Sequence, residues 1–442
     1  MKVNDTIELT VEKLVYQGYG LCRYDNNFVV FIENALPEEK IKAKITSINR
    51  KFARAQIVEI IKPSPNRVKP FCALYNACGS CQMQVCDYDY LVEQKKNILC
   101  DIFNIENIKF EKSPVTMGYR HKIQYPCAET KNSKRVLMGY YKKNSHELTN
   151  IKFCPIQPEL MNELAQYIRD NFKFGCYDEK THTGLLRHVL VRFSRKSEPL
   201  ITFVLNSDTI PNGFEDFCLE FIGQFLSIKG IFVNFNTQKG NKILGKKTQK
   251  ILGDDYILEQ LGDKQYKIGP VSFFQVNPLA AIKLFDIVKE NVSQNSTILD
   301  AYGGVGAIGI WLSNLAKSIT LVEENNEAVR LAKENYELNE IKNYEIFEGD
   351  AKVYFEEFKK HSKTFDYTIL DPPRQGCEQS ALKDICEISN NIIYVSCNPA
   401  TLKRDMEIIK NCGFEFKTLR GIDLFPYTYH IEAIAVFERV KR

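Results

Sequence analysis

A cysteine stands in "NNIIYVSCNPATLKRD", residues 390–405, in a setting that can activate a thiol. The β-branched and aromatic run Ile392, Ile393, Tyr394, Val395 predicts a buried strand. Asn398 reads as a helix cap and Pro399 as a first-turn residue, where its missing N–H costs nothing. Cys397 falls at the corner between strand and helix, so the positive end of the helix favours its thiolate. The alternative for a lone cysteine is a buried structural thiol.

Two further stretches carry chemistry. "DAYGGVGAIG", residues 300–309, holds Gly304-x-Gly306-x-x-Gly309, the spacing of a dinucleotide-binding turn. Glu323 then ends the next strand, where an acid can hold a ribose diol. Taken literally, this describes an NAD-linked oxidoreductase. S-adenosylmethionine offers the same ribose and adenine, and any small-residue turn under a nucleoside gives similar spacing. "LDPPRQG", residues 370–376, favours the second reading, because a hydride-transfer enzyme has no need of an Asp-Pro-Pro turn after that strand. Two prolines stiffen the loop, and Asp371 supplies a fixed anion that can receive an ammonium or orient a substrate. A simple chain reversal is the alternative.

Cys72-x5-Cys78-x2-Cys81, with Cys154 far downstream, offers four thiolates at metal-ligand spacing. Such a set holds zinc or an iron–sulfur cluster, and spacing alone leans to zinc. Cys86 is a fifth thiol nearby.

These residues need elements to hold them. From Thr297 onward, strand-like "TILDAY", "SITLVEE", "YEIFEGD", "FDYTILD" and "IIYVSC" alternate with helical segments, and "FEFKTLRGIDLF" and "IEAIAVFERV" supply two final strands. That alternation predicts an α/β, Rossmann-like, doubly wound parallel sheet with ligands at the carboxyl ends of its strands. Residues 1–61 read as about five short strands with turns at Gly18–Gly20, Asn26–Asn27 and Pro37–Glu38, an OB-type barrel. Lys40, Lys42, Lys44, Arg50, Lys51 and Arg54 would give it the positive face of a nucleic-acid-binding module. "KPSPNRVKP" marks a domain edge. The expected division is a barrel at 1–61, a mixed α+β central domain with the cysteine cluster at 62–270, and the cofactor domain at 271–442. The segment about 84–116 is free to pack on the last of these.

Composition bounds the classes. The chain has 442 residues, 44% hydrophobic and 26% charged, as in multidomain soluble proteins. The net charge of +4 is uneven: residues 1–270 carry +9 and residues 271–442 carry −5. This suits a polyanion-binding front joined to an enzymatic back. "MKVNDTIELTVEK" lacks an apolar targeting core and no apolar run reaches membrane-spanning length, which predicts a cytoplasmic protein without a membrane partner. Fourteen cysteines then point to metal or catalysis before disulfides.

"FFQVNP" (273–278), "DAYGGVG" (300–306), "LDPPRQG", "VSCNPATLKRD" and "FPYTYHIEAIAVF" (425–437) occur in that order at successive strand ends. Together they resemble the RNA uracil-5 methyltransferase family, makers of 5-methyluridine in transfer and ribosomal RNA. The barrel is similar to the TRAM domain of the ribosomal-RNA members. The resemblance implies a class I methyltransferase fold with Gln275, Tyr302, Glu323 and Asp371 contacting S-adenosylmethionine. It implies Cys397 as nucleophile toward uracil C6 and Glu432 as general base, with His430 the alternative base. A uracil to be modified must leave its stack, and Phe273 can stack on it. The cysteine pattern resembles the [4Fe-4S] signature of the ribosomal-RNA members, which reverses the lean to zinc for Cys72, Cys78, Cys81 and Cys154. Barrel and cluster together favour 23S ribosomal RNA as the partner over transfer RNA; no protein partner is implied. Gly304 stands where the family usually has cysteine and Ala301 where it has leucine; neither supplies a required group. An iron–sulfur or NAD-linked oxidoreductase would leave Cys397 and Glu432 idle. A non-catalytic RNA-binding protein would bind RNA without needing Cys397.

Overall fold

Alternating apolar and polar residues close the N-terminal region into a barrel. Its strands are Thr6–Val15, Tyr19–Tyr24, Phe28–Glu33, Lys40–Ile48 and Phe52–Lys62, ordered first, second, third, fifth, fourth. Val11, Cys22, Val30, Ile32, Ile41 and Ala53 point inward and are buried. The buried Glu39 carboxylate accepts from Leu36 N at 2.9 Å, Ser64 N at 3.2 Å and Arg67 Nε at 2.5 Å, tying the chain that leaves the barrel back onto it.

The computed structural model describes residues 1–440. It divides into two compact units, Met1–Ser113 with Arg420–Glu432, and Pro114–Leu419 with the chain from Ala433 onward. Besides the barrel, the first unit contains the cysteine loop, the helix Tyr88–Phe103 and the strand Lys109–Glu111, which pairs in parallel with Arg420–Ile422.

In the second unit, a seven-stranded sheet runs in the order Lys247–Gly253, Gly230–Phe235, Pro199–Leu205, Leu186–Phe193, Lys122–Glu129, Val136–Tyr141, Leu148–Asn150. Helices Glu159–Asn171 and Phe214–Gln224 cover it through a phenylalanine-rich core that includes Phe172, Phe203, Phe214 and Phe221.

The expected doubly wound sheet follows, and its strands lie where the sequence pattern puts them. Spatially they run Tyr344–Glu348, Ala316–Glu323, Ser296–Ala301, Phe365–Leu370, Ser389–Ser396, Glu432–Arg439, Phe414–Ile422. Numbered along the chain, that order is 3-2-1-4-5-7-6. The first five are parallel, and Glu432–Arg439 is antiparallel to Ser389–Ser396. The order reverses between Ser296–Ala301 and Phe365–Leu370. Crossovers leave those two strand ends in opposite directions, opening a crevice where ligands bind in such sheets. Among the described residues no helix is long and apolar enough to cross a membrane.

Candidate active site

The crevice lies at that switch point. Ser296–Ala301 ends in Tyr302, Gly303 and Gly304, and Phe365–Leu370 ends in Asp371; Phe273, Gln275, Asp300 and Val305 line the same crevice. Tyr302, Gly304 and Gly306 all take positive φ (62°, 56° and 82°), so the loop turns tightly under any bound group. A Cβ on Gly309 would fall 2.3 Å from the Tyr336 hydroxyl and 2.9 Å from Asp300 Oδ2, so only glycine lets the following helix approach the strand.

Electrostatics give the crevice its character. Glu323 accepts from Gly304 N at 3.0 Å and from Asn325 N at 2.9 Å, which fixes its carboxylate beside the glycine loop. Asp300 accepts from Gly309 N at 2.9 Å. Burial pushes the Asp300 carboxyl up to about 7, helped by the negative charges of Asp371 and Glu323. Burial likewise pushes Asp371 up to about 7. Among the described residues, none lining the crevice is basic. Two carboxylates lining the crevice, with a third fixed beside its glycine loop, suit a cationic ligand, which would return Asp300 and Asp371 toward their ordinary ionisation. Asp300 was not singled out in the sequence; its signal is an acid closing the otherwise apolar strand "TILDA".

The loop that carries Phe273 and Gln275 is pinned from beneath. The Ser272 carbonyl accepts from Lys122 Nζ at 3.5 Å and from Arg192 Nη2. Val276 O accepts from His121 N at 2.7 Å, and Asn277 caps the next helix through Ala280 N at 3.2 Å. Burial, and then the neighbouring Arg192, lower Lys122 well below the usual lysine range. Phe274 is 3% exposed, whereas Phe273 is 62% exposed and free to offer its ring.

Cys397 follows Ser389–Ser396 and precedes the helix Pro399–Asn411, as the sequence suggests. It is partly exposed and free of disulfide bonding. Asn398 caps the helix at Ala400 N (3.2 Å), and Ser396 Oγ bridges the corner to Asn398 N and O, each at 3.1 Å. In the antiparallel register Ser396 lies opposite Ala433. Cys397 is the next residue after the first of these, and Glu432 the residue before the second.

Glu432 is buried, at 3% exposure, and begins its strand. The preceding loop is held within the first unit. Lys95 Nζ donates to Asp423 Oδ1 at 2.8 Å and to Phe425 O at 3.2 Å, both partners of this ion pair being buried. Gln82 N and Met83 N donate to Tyr427 O at 3.1 and 2.9 Å, and the Phe71 ring packs on Tyr427 at 4.8 Å between centroids. Residues flanking the thiol loop therefore grip the loop that leads to Glu432.

The expected metal site is a different matter. Cys72, Cys78 and Cys81 are partly exposed, Cys154 is buried, and none is in a disulfide. Thiolates are the right donors for a cluster. Yet among the described residues no group of three or more His, Cys, Asp or Glu is arranged to hold a metal ion. The spacing along the chain is present; among the described residues an assembled ligand group is not.

The barrel also departs from expectation. Lys40 and Lys42 each meet a carboxylate, Glu8 and Glu59, at 3.0 Å, which spends part of the expected positive face. A second face carries outward rings on neighbouring strands. Phe31 lies 6.3 Å from Tyr19 and 5.3 Å from Phe52, and Arg54 sits over Tyr19 at 5.5 Å and over Phe52 at 5.9 Å.

Fold, crevice and corner thus define a class I methyltransferase architecture that follows an OB-type barrel along the chain. Residues 236–440 match the family model described as tRNA (uracil-5-)-methyltransferase, and residues 1–58 match the TRAM domain. An uncharacterized RNA methyltransferase of Oceanobacillus iheyensis is 35% identical over 98% of this chain and 96% of its own. One from Clostridium acetobutylicum is 32% identical over 100% and 99%. The chain belongs to the RNA uracil-5 methyltransferase family. Its fold is also that of the Pyrococcus abyssi tRNA (uracil-54, C5)-methyltransferase solved with S-adenosyl-L-homocysteine. That comparison has a TM-score of 0.76 and 24% identity, covering 98% of this chain and 100% of the other.

Proposed function

We propose that the protein transfers a methyl group from S-adenosylmethionine to C5 of a uridine in RNA, with Cys397 as nucleophile and Glu432 as general base. The observation that carries this reading is a partly exposed thiol at a capped helix N-terminus, one residue beyond a strand that pairs on one side with the strand beginning at Glu432 and on the other with the strand ending at the crevice residue Asp371. S-adenosylmethionine, when bound, supplies an electrophilic methyl group on a sulfonium. The crevice fits it: Asp300, Glu323 and Asp371 match a ligand carrying sulfonium and ammonium charge, and Glu323 is fixed where a ribose diol needs an acceptor. Gln275 and Tyr302 complete the walls.

Uracil C5 is too weak a nucleophile to be alkylated directly. The Cys397 thiolate adds to C6, forming a C–S bond and moving the ring's electron pair into an enolate with density at C5. C5 takes the methyl group as the methyl–sulfonium bond breaks, its electron pair staying on sulfur, so that S-adenosylhomocysteine leaves. Glu432 then removes the C5 proton, the electron pair re-forms the C5–C6 double bond, and the thiolate leaves. The helix N-terminus lowers the cost of the thiolate at both ends of this cycle. Phe273, exposed at the crevice mouth, is suited to stack on an extruded base.

The RNA substrate is proposed to be 23S ribosomal RNA, with the Tyr19–Phe31–Phe52 rings and Arg54 of the barrel as a stacking and phosphate-binding face. Transfer RNA is the second reading. What favours it is the fold shared over 98% of this chain with a Pyrococcus abyssi enzyme named for transfer RNA. For the cysteine set, thiol chemistry and spacing support a [4Fe-4S] cluster, with zinc as alternative; no step above passes through it. Iron, sulfide and zinc analysis of anaerobically purified protein decides between them. A cytoplasmic location follows from the RNA reading. The test of function is tritiated methyl transfer to total RNA from a strain lacking the gene, followed by mapping. Label at C5 of one or two uridines supports the reading; label on an exocyclic nitrogen or a ribose, or none, rejects it.

A further inference from the structure

The helix behind Cys397 is joined to the 371–377 loop by side chains that the proposed chemistry leaves unused. Asp405, fully buried, accepts through Oδ2 from the Cys377 amide at 3.0 Å and the Tyr394 hydroxyl at 2.6 Å. Its Oδ1 accepts from Arg404 Nε at 2.7 Å. Arg404 Nη2 in turn donates to the carbonyls of Gln375 at 3.1 Å and Cys377 at 3.3 Å. Asn398 Nδ2 and Thr401 Oγ1 donate to Arg374 O at 3.0 and 3.4 Å. The Cys377 side chain lies beside those of Tyr394 and Tyr302, and Tyr302 lines the crevice. A continuous chain of polar contacts thus runs from the cofactor loop, through the Asp-Pro-Pro loop, to the first turns behind the nucleophile.

We propose that Asp405 is a positioning residue that fixes the spacing between the methyl-donor crevice and the Cys397 corner, with Arg404 and Tyr394 as its arms. This deepens the uracil-5 reading and rests on it. A buried carboxylate is costly unless its lone pairs are satisfied, so the network has one low-energy arrangement and resists small displacements. Methyl transfer between a thiolate-activated ring and a sulfonium is sensitive to such displacements, and a shift of about 1 Å can cost about 100-fold in rate. Asp405 touches no reacting atom in this account. Its effect therefore falls on the transfer step and not on ligand affinity.

Full-length Asp405→Asn and Tyr394→Phe test this through single-turnover methyl transfer, S-adenosylmethionine affinity by calorimetry, and hydrogen exchange of the Cys377 amide. Asp405→Asn should slow transfer about 100-fold. Its affinity should stay within about threefold, and exchange at Cys377 should quicken by about tenfold or more. Tyr394→Phe, which removes one hydrogen bond, should slow transfer about tenfold with unchanged affinity. A wild-type rate in Asp405→Asn overturns the proposal, as does a rate loss matched by an equal loss of affinity. If Asp405→Asn does not fold, Tyr394→Phe decides by the same criteria. If the wild-type protein methylates no RNA, the functional reading fails separately. Cys377 exchange then judges the clamp alone, and unchanged protection in the variants overturns it.

Discussion

The Cys397 corner and the crevice at the switch point are built on opposite electrostatic plans. Around Cys397 the polar groups answer one another: Asn398 caps, Ser396 bridges, and Asp405 meets an amide, a hydroxyl and a guanidinium. At the crevice, Asp300 feels the negative charges of Asp371 and Glu323, and Asp300 and Asp371 are pushed up to about 7 by burial. The first region stores position; the second stores unfavourable charge that a cation relieves. A group-transfer enzyme needs both, since the donor must be drawn in and the acceptor must not move.

The sharpest way to break this contrast is to remove the thiol. Cys397→Ala should abolish methyl transfer, by more than about 1,000-fold, while S-adenosylmethionine binds as before. Turnover near the wild-type level in that variant would show that the corner holds nothing chemical.

On the crevice side, Asp371→Asn removes one anion and should weaken S-adenosylmethionine binding about 10- to 100-fold, with a smaller effect on S-adenosylhomocysteine, which lacks the sulfonium charge. Equal losses for both ligands would mean that Asp371 acts by shape or hydrogen bonding and not by charge. pH sharpens the same point. Asp300 and Asp371 have folded-state values near 7 against an ordinary 3.8, so the folded, ligand-free protein binds more protons than the unfolded chain between those values. Their contribution to stability is fully present below pH 3.8 and is lost as pH rises through about 7. A cation opposes that loss. The thermal stabilisation produced by saturating S-adenosylmethionine should therefore be larger at pH 8 than at pH 6, as read by calorimetry; a pH-independent increment would remove the charge argument.

The smallest expected effect is on stability. Gly376 has φ 77°, and a Cβ there would lie 2.6 Å from both Arg404 Nη2 and Asp405 Oδ2. Gly376→Ala should cost about 1–3 kcal/mol in denaturant unfolding. A cost below about 0.5 kcal/mol would show that the loop is loosely held.

How much of this was legible beforehand differs between the same regions. The corner was readable because strand, cap and proline are local signals: "IIYVSCNPA" specifies its own geometry. The parallel sheet was readable for the same reason, each strand being a short apolar run with its own turn. The crevice was half readable. Glu323 and Asp371 sit at strand ends that the pattern marks, whereas Asp300 gains its role only from two other strands' carboxylates. Long-range pairing hides the rest. Lys95 and Asp423 lie 328 residues apart in the chain, and nothing local foretells that the helix Tyr88–Phe103 anchors the loop before Glu432. Two of the barrel's six expected cations, Lys40 and Lys42, meet Glu8 and Glu59 through strand pairing that one sequence does not show. The four cysteines show the converse, a ligand spacing without an assembled ligand group among the described residues.

One measurement bears most directly on the sulfur chemistry. Transcribed 23S ribosomal RNA and transfer RNA carrying 5-fluorouridine, incubated with the protein and S-adenosylmethionine, should yield a methylated protein–RNA adduct that survives denaturation, because fluorine cannot leave C5 as a proton does. Mass spectrometry should assign the link to Cys397, and Cys397→Ala should give none. A wild-type protein that methylates unmodified RNA yet forms no such adduct, or an adduct that persists in Cys397→Ala, would contradict covalent catalysis at this cysteine.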